Sequence, residues 1–126
     1  MHHSYLITLF LWFSHMLFSQ NVNTSVKTTN GIASFYAKKF NGRRTSSGEK
    51  YYDDSLTAAH KTYKFGTYVL VKNIKNDSTV IVKINDRLPK KSKRSIDLSV
   101  RAAKQLNFVR SGLPKVEITI LDSLKK

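Results

Sequence analysis

The chain of 126 residues contains no cysteine. Disulfide bonds therefore do not stabilise the fold, although small exported domains commonly rely on them. A lipoprotein anchor is not expected either, because that modification requires a cysteine behind the signal peptide. The domain must be stable through its hydrophobic core, which about 100 residues can provide.

Histidine is scarce, and three of the four histidines lie before residue 20. His60 is then alone in the expected mature chain, so we predict no metal site and no cofactor. The sequence also has no phosphate-binding loop ending in GK[ST] and no GxSxG elbow. Carboxylate chemistry remains, and the candidates within the domain are Glu49, Asp53, Asp54, Asp77, Asp86 and Asp97.

Acidic residues are few. Eight Asp and Glu face 22 Lys and Arg, which gives a net charge of +14. Such an excess favours an anionic partner and salt-sensitive association, although simple solubility would also explain it. Nucleic acid would be the first partner to consider in the cytosol. Because we expect export, we predict an anionic envelope polymer or surface and no nucleic acid.

The N-terminal segment predicts export. Tyr5 to Phe18 form a mostly apolar run of 14 residues. A membrane span needs roughly 20 residues, whereas this length suits the apolar core of a signal peptide. We expect cleavage near Ser19 or Gln20 and a soluble protein in the periplasm or cell envelope, without a stable membrane anchor. The run has no preceding Lys or Arg, so an uncleaved anchor or a buried helix remains an alternative.

The remaining chain is predicted to form one domain. We assign residues 1–20 to the signal peptide, 21–30 to a polar linker, 31–122 to the domain and 123–126 to a tail. Apolar or alternating segments predict strands at 32–36, 68–72, 79–84 and 116–121, with a hairpin joining the second and third. Residues 38–64 are predicted to form a long functional loop.

One helix is predicted from Val100 to Phe108, with Asp97 or Ser99 as its N-cap. Its apolar face consists of Ala102, Ala103 and Leu106. The strands and this helix together indicate a small β-barrel.

Three residues stand out within polar motifs, and each has an ordinary alternative. Asp86 follows an apolar strand and has Arg87 beside it as a countercharge, which would lower its pKa. It also suits a residue that simply ends a strand and caps a turn. His60 lies among small residues, where a core histidine is the commoner case. Glu49 follows Gly48 in a polar loop and resembles an ordinary surface acid.

Taken in order, the motifs identify a family. They are GIASFY at 31–36, FNGRRTSSGE at 40–49, LTAAHKT at 56–62, GTYV at 66–69, NDR at 85–87 and IDLS at 96–99. This series resembles the RlpA (rare lipoprotein A) family. The resemblance implies a mainly β fold, a six-stranded double-psi β-barrel with one or two short helices, as in barwin, expansins and family 45 glycoside hydrolases.

The resemblance also implies an activity, that of an endolytic peptidoglycan lytic transglycosylase. Such an enzyme cleaves between N-acetylmuramic acid and N-acetylglucosamine, leaves 1,6-anhydro ends and prefers peptide-poor strands. The catalytic positions correspond to Glu49, His60 and Asp86. The predicted substrate-binding residues are Arg44, Thr45, Tyr51, Thr57, Lys61, Asn85 and Arg87. We expect a monomer that acts on peptidoglycan glycan strands.

Asp86 would serve as the single acid and base, so we predict a raised pKa for its carboxyl group. Arg87 must then point away, or burial must outweigh it. Glu49 and His60 would orient the substrate or tune Asp86 through hydrogen bonds. Tyr36, Phe40 and Tyr51 are candidates for stacking on sugars, and core packing is their alternative use.

One position departs from the family pattern. Leu88 stands where family members commonly have glycine before the proline, so this loop is expected to run differently. A non-catalytic, expansin-like wall-binding module is therefore kept as an alternative. A hydrolase that uses Glu49 as a second acid is another alternative, and nucleic-acid binding rests on charge alone.

Overall fold

A computed structural model describes residues 27–108 and 113–121. The predicted signal peptide and C-terminal tail lie outside these residues. The strands are β1 (Thr28–Phe35), β2 (Thr57–His60), β3 (Tyr68–Asn73), β4 (Thr79–Arg87), β5 (Ile96–Leu98) and β6 (Lys115–Ile120). A 3₁₀ turn spans Lys38–Phe40, and helix α1 spans Val100–Gln105. Across the two described ranges, no helix has the length and apolarity to cross a bilayer.

The six strands close into a barrel in the order β1-β5-β2-β4-β3-β6. The pairs β1–β5 and β2–β4 are parallel, and the other four pairs are antiparallel. The predicted mainly β, six-stranded barrel is thereby confirmed.

The β3–β4 hairpin follows the predicted alternation. It pairs Tyr68 with Lys83 and continues to Lys72 opposite Thr79. Alternate side chains of β3 and β4 point into the barrel, where Val69, Val71, Val80, Val82 and Ile84 are almost fully buried. Asp77 takes a left-handed conformation in the connecting turn, with φ of 63°, which Asp tolerates better than most residues.

Strands β2 and β5 were not predicted, and β2 shows why. All four residues of β2, Thr57–His60, are buried. The strand is hydrogen-bonded to β4 on one side and to β5 on the other. A central strand buried on both faces shows no alternation, so its sequence gives no period-two signal. The prediction of an unbroken loop from 38 to 64 is therefore wrong at its C-terminal end.

Helix α1 lies against the barrel through the predicted face, and Ala102, Ala103 and Leu106 are fully buried. Ser99 is the N-cap, and its hydroxyl accepts the N–H of Ala102 at 3.4 Å. The helix stops at Gln105, three residues earlier than predicted.

At the other end of the domain, β1 begins at Thr28, where Thr28 pairs with Thr119 of β6. The strand therefore starts inside the segment predicted to be a linker. The domain boundaries as a whole stay a prediction.

Candidate active site

The candidate site is built on a row of residues that crosses four adjacent strands. Ser34 of β1 pairs with Asp97 of β5, Asp97 pairs with Ala59 of β2, and Ala59 pairs with Asp86 of β4. All four line one open cleft of about 600 Å³. Because Ser34 and Ala59 are small, the floor between and beside the two carboxylates stays open.

A β-bulge aims Asp86 into this cleft. Ala58 pairs with Ile84 but Ala59 pairs with Asp86, so Asn85 is an extra residue in β4. Side chains alternate along a regular strand, which would turn Asp86 to the same side as the buried Ile84. The extra residue reverses that alternation, and Asp86 reaches the cleft instead of the core.

Three donors hold the Asp86 carboxylate. The Tyr36 hydroxyl donates to Oδ2 at 2.5 Å, and the backbone N–H groups of Ser46 and Arg87 each donate to Oδ1 at 2.9 Å. Partial burial raises the pKa of Asp86, but these hydrogen bonds outweigh burial and leave the pKa below its ordinary value. The predicted raised pKa is therefore wrong, because three donors stabilise the ionised form.

The side chain of Arg87 points away from Asp86, as predicted. Its guanidinium donates to the carbonyls of His60 and Tyr63 at 3.1 and 2.8 Å. The same group lies 4.3 Å from the centre of the Phe65 ring. Arg87 thus fixes the end of β4 to neighbouring backbone and is not the countercharge of Asp86.

Tyr36 was predicted as a candidate for stacking on sugars, but its contact with Asp86 was not predicted. Its ring stacks on Tyr51 at 4.2 Å and meets the Phe40 ring edge-on at 6.1 Å. Burial and the hydrogen bond to Asp86 both raise the pKa of the Tyr36 hydroxyl, so it stays a donor. GIASFY placed Tyr36 at a strand end, but nothing local indicated its contact with Asp86, 50 residues away.

Tyr51 lies beneath Tyr36 and is only 1% exposed. Its hydroxyl donates to Asp53 at 2.9 Å and accepts the N–H of Val100 at 3.1 Å. The predicted role of Tyr51 as a sugar platform is therefore corrected, since its ring supports Tyr36 from below.

Glu49 lies in a second, smaller cleft of about 270 Å³. Its carboxylate accepts from Lys83 Nζ at 2.9 Å and from Asn85 Nδ2 at 3.2 Å. Both hydrogen bonds lower the pKa of Glu49, and the bond from Lys83 has the larger effect. Glu49 does not hydrogen-bond to Asp86, so the predicted direct tuning is absent. Asn85 lines the cleft of Glu49, and the next residue of β4, Asp86, lines the other cleft.

His60 is 9% exposed and also makes no hydrogen bond to Asp86. Its Nδ1 accepts the N–H groups of Thr62 and Tyr63, both at 3.1 Å, and its ring stacks on Tyr63. Burial, followed by the charges of Arg87 and Lys61, lowers the pKa of His60 to about 4. His60 is therefore neutral at neutral pH, and its contacts fix the loop that follows β2.

The other predicted residues divide into two groups. Arg44 lines the Asp86 cleft and donates to the Gly48 carbonyl at 2.8 Å. Thr45 donates to the carbonyl of Glu49 at 2.7 Å, and Lys61 donates to the carbonyl of Ser92 at 2.5 Å. These three shape loops at or near the clefts.

Thr57 is different, because it is buried where β2 begins and lines neither cleft. Its hydroxyl oxygen has no hydrogen-bond partner. The contacts of Thr57 give no support to the predicted substrate-binding role.

A second carboxylate in the Asp86 cleft is engaged in an ion pair. Arg94 Nε and Nη2 donate to the two oxygens of Asp97 at 2.8 and 3.2 Å. Asp97 was considered as a helix cap, but it lies in β5 and Ser99 provides the cap. The two-acid alternative named Glu49, which lies in the other cleft.

Leu88 fits the site without backbone strain. It is 4% exposed, lines the Asp86 cleft, and its N–H donates to the His60 carbonyl at 3.2 Å. In the described part of the chain, Asp77 and Asn107 are the non-glycine residues with positive φ, so Leu88 keeps an ordinary conformation. The departure from the family's glycine therefore does not require a left-handed residue here.

Comparison with known proteins agrees with this geometry. A family model described as lytic transglycolase matches residues 28–118, which include strands β1 to β5 and the first four residues of β6. The chain belongs to the lytic transglycolase family. The resemblance to RlpA proteins is confirmed with it, as is the double-psi barrel that it implied.

Curated members of the lytic transglycolase family match at high identity. The endolytic peptidoglycan transglycosylase RlpA of Pasteurella multocida is 50% identical over 92 residues, which are 73% of this chain and 31% of the relative. The probable endolytic peptidoglycan transglycosylase RlpA of Treponema pallidum is 44% identical over 108 residues, 86% of this chain and 33% of the relative. The chain thus spans about a third of the length of these relatives.

The fold of this lytic transglycolase domain also occurs in an expansin. The apo expansin of Clavibacter michiganensis superposes with a TM-score of 0.61 at 22% identity, covering 75% of this chain and 50% of that one. At this identity the likeness concerns the fold alone.

Proposed function

We propose that the domain is an endolytic lytic transglycosylase that cleaves peptidoglycan between N-acetylmuramic acid and N-acetylglucosamine and leaves 1,6-anhydro ends. Family membership and the names of the relatives support this proposal. The observation that supports it most directly is Asp86, which a bulge aims into an open cleft.

One carboxyl group suffices for this reaction. Protonated Asp86 gives its proton to the glycosidic oxygen while the bond from that oxygen to C1 of the muramoyl residue breaks. The resulting carboxylate removes the proton of the C6 hydroxyl as that oxygen bonds to C1. The 1,6-anhydro ring closes, Asp86 is protonated again, and no water is consumed. The chemistry therefore does not need Glu49 as a second acid.

The lowered pKa of Asp86 adds a requirement. In the free domain the carboxyl group is ionised at neutral pH, because three donors stabilise its charge. A glycan strand that covers the cleft removes water from the carboxylate, and desolvation raises its pKa. Asp86 thus takes up its proton in the complex or at acidic pH, and kcat/KM is expected to rise as the pH falls from neutral.

The proposed substrate is a peptide-poor glycan strand in the cell envelope. The protein would reach this substrate after export and act on it as a monomer. The net charge of +14 supports an anionic polymer as partner. A non-catalytic wall-binding module is the alternative, and product analysis separates the two.

The test is the incubation of the purified domain with intact and amidase-treated sacculi, followed by mass spectrometry of the released material. Anhydromuramoyl ends are expected, whereas reducing ends would indicate hydrolysis and no release would indicate a binding module. Asp86→Asn should abolish release. Asp54→Asn is the matched control, because Asp54 is exposed and does not line either cleft. Normal release of anhydro products by Asp86→Asn would refute the role of Asp86.

A further inference from the structure

Four arginines line the Asp86 cleft, and three of them are engaged. Arg44 donates to the Gly48 carbonyl, Arg87 donates to two backbone carbonyls, and Arg94 forms the ion pair with Asp97. Arg43 differs from them. Within the described residues, its guanidinium makes no hydrogen bond and no ion pair, and it rests 5.6 Å from the centre of the Phe40 ring.

The backbone of Arg43 is nevertheless fixed. Its N–H donates to the Phe40 carbonyl at 2.9 Å, and its carbonyl accepts the N–H of Tyr51 at 2.7 Å. The Phe40 ring beneath the guanidinium contacts Tyr36, which donates to Asp86. The guanidinium of Arg43 therefore lies in the same cleft as the proposed acid and is free to bind a ligand. The rings of Phe40 and Tyr36 connect it to Asp86.

We propose that Arg43 binds a carboxylate of the glycan strand, namely the lactyl carboxylate of a muramoyl residue that carries no peptide. This inference rests on the proposed function. The planar guanidinium matches a carboxylate with two parallel hydrogen bonds. In a strand that bears peptides, the same lactyl group is an amide and has no charge. Arg43 thus discriminates in favour of peptide-free strands.

Lys39 provides a matched control on the same ring. Its ammonium lies 5.3 Å from the centre of the Phe40 ring, but Lys39 does not line the cleft. Lys39→Gln and Arg43→Gln each remove one positive charge next to Phe40. A difference between the two variants therefore reports the position of the charge and not the net charge.

The experiment compares peptide-free glycan strands in two forms. In one form the lactyl carboxylates are free, and in the other they are converted to methylamides by carbodiimide coupling. Binding is measured by fluorescence anisotropy at constant ionic strength, in proteins that also carry Asp86→Asn so that the strands stay intact. With Arg43 present, the free-carboxylate strand should bind about tenfold more tightly, as expected for a charged hydrogen-bonded pair.

Every variant should keep a small preference for the charged strand, because the chain has a net charge of +14. Beyond that shared part, Arg43→Gln should lose the preference, Arg43→Lys should retain some of it, and Lys39→Gln should retain all of it. Full discrimination by Arg43→Gln, or an equal loss in Lys39→Gln, would overturn the assignment. Cleavage by domains with Asp86 intact is assayed separately. Discrimination without cleavage of any strand would refute the proposed activity alone, and cleavage without discrimination would refute the role of Arg43 alone.

Discussion

Replacing Tyr36 with Phe tests how the site controls the charge of Asp86. The substitution removes the hydroxyl that donates to Asp86 Oδ2 at 2.5 Å. It keeps the ring that stacks on Tyr51 and meets Phe40. The packing around Asp86 is retained, so the change acts mainly on the stability of the ionised carboxylate.

The magnitude follows from the type of hydrogen bond. A bond to a charged group contributes about 1.5–3 kcal/mol, and the lower end applies here because Asp86 is only partly buried and solvent screens it. About 1.4 kcal/mol corresponds to a factor of ten in a protonation equilibrium. Loss of the Tyr36 donor should therefore raise the protonated fraction of Asp86 roughly tenfold at any pH above its pKa. The direction is upward, because the lost bond stabilised the ionised form.

The direct assay is a titration of the ¹³C-labelled Asp86 carboxyl group by NMR. Tyr36→Phe should move the midpoint to higher pH, and the alkaline limb of kcat/KM should move with it, since this parameter reports ionisations of the free enzyme. Tyr52→Phe is the matched control, because Tyr52 is 47% exposed and lines neither cleft. A midpoint that stays in place, or that moves to lower pH, would refute the reasoning.

Three further predictions concern stability. His60 has a pKa of about 4 in the folded domain against 6.5 when unperturbed, so its contribution to the free energy of unfolding is complete above pH 6.5 and is lost as the pH falls toward 4. His60→Asn should remove up to about 3 kcal/mol of this pH dependence in urea unfolding. An unchanged pH profile of stability would contradict this prediction. Leu98→Ala empties a fully buried core position and should lower the free energy of unfolding by about 2–5 kcal/mol, measured by the same method, with a loss under about 1 kcal/mol as the contrary result. Lys83→Ala breaks the exposed ion pair with Glu49 and should change stability by less than about 1 kcal/mol in thermal unfolding, so a larger loss would show that the pair is more than a surface contact.

The sequence predicted the elements whose signals are local. The β3–β4 hairpin alternates with period two and contains a polar turn, and helix α1 has both a Ser cap and an apolar face. Strands β2 and β5 have four and three residues, and their formation depends on neighbours that are distant in the chain. No local pattern distinguishes such strands from loops.

The candidate site divides in the same way. Asp86 was identified through the order of the family's motifs, but its hydrogen-bond partners were not. The contact with Tyr36 joins residues that are 50 positions apart, and the bulge at Asn85 exists only because β4 pairs with β2. The pKa of Asp86 depends on both, which explains why its predicted direction was wrong.

The row of Ser34, Asp97, Ala59 and Asp86 has a consequence for folding. Its members come from four strands, and two of the three pairings in the row are parallel or bulged contacts between remote segments. Such non-local contacts close slowly, because the entropy of a long loop is lost before they form. A partly folded chain therefore has no cleft floor. The proposed cleavage of glycan would appear only once these pairings have formed, so its recovery during refolding would report the rate at which the barrel closes.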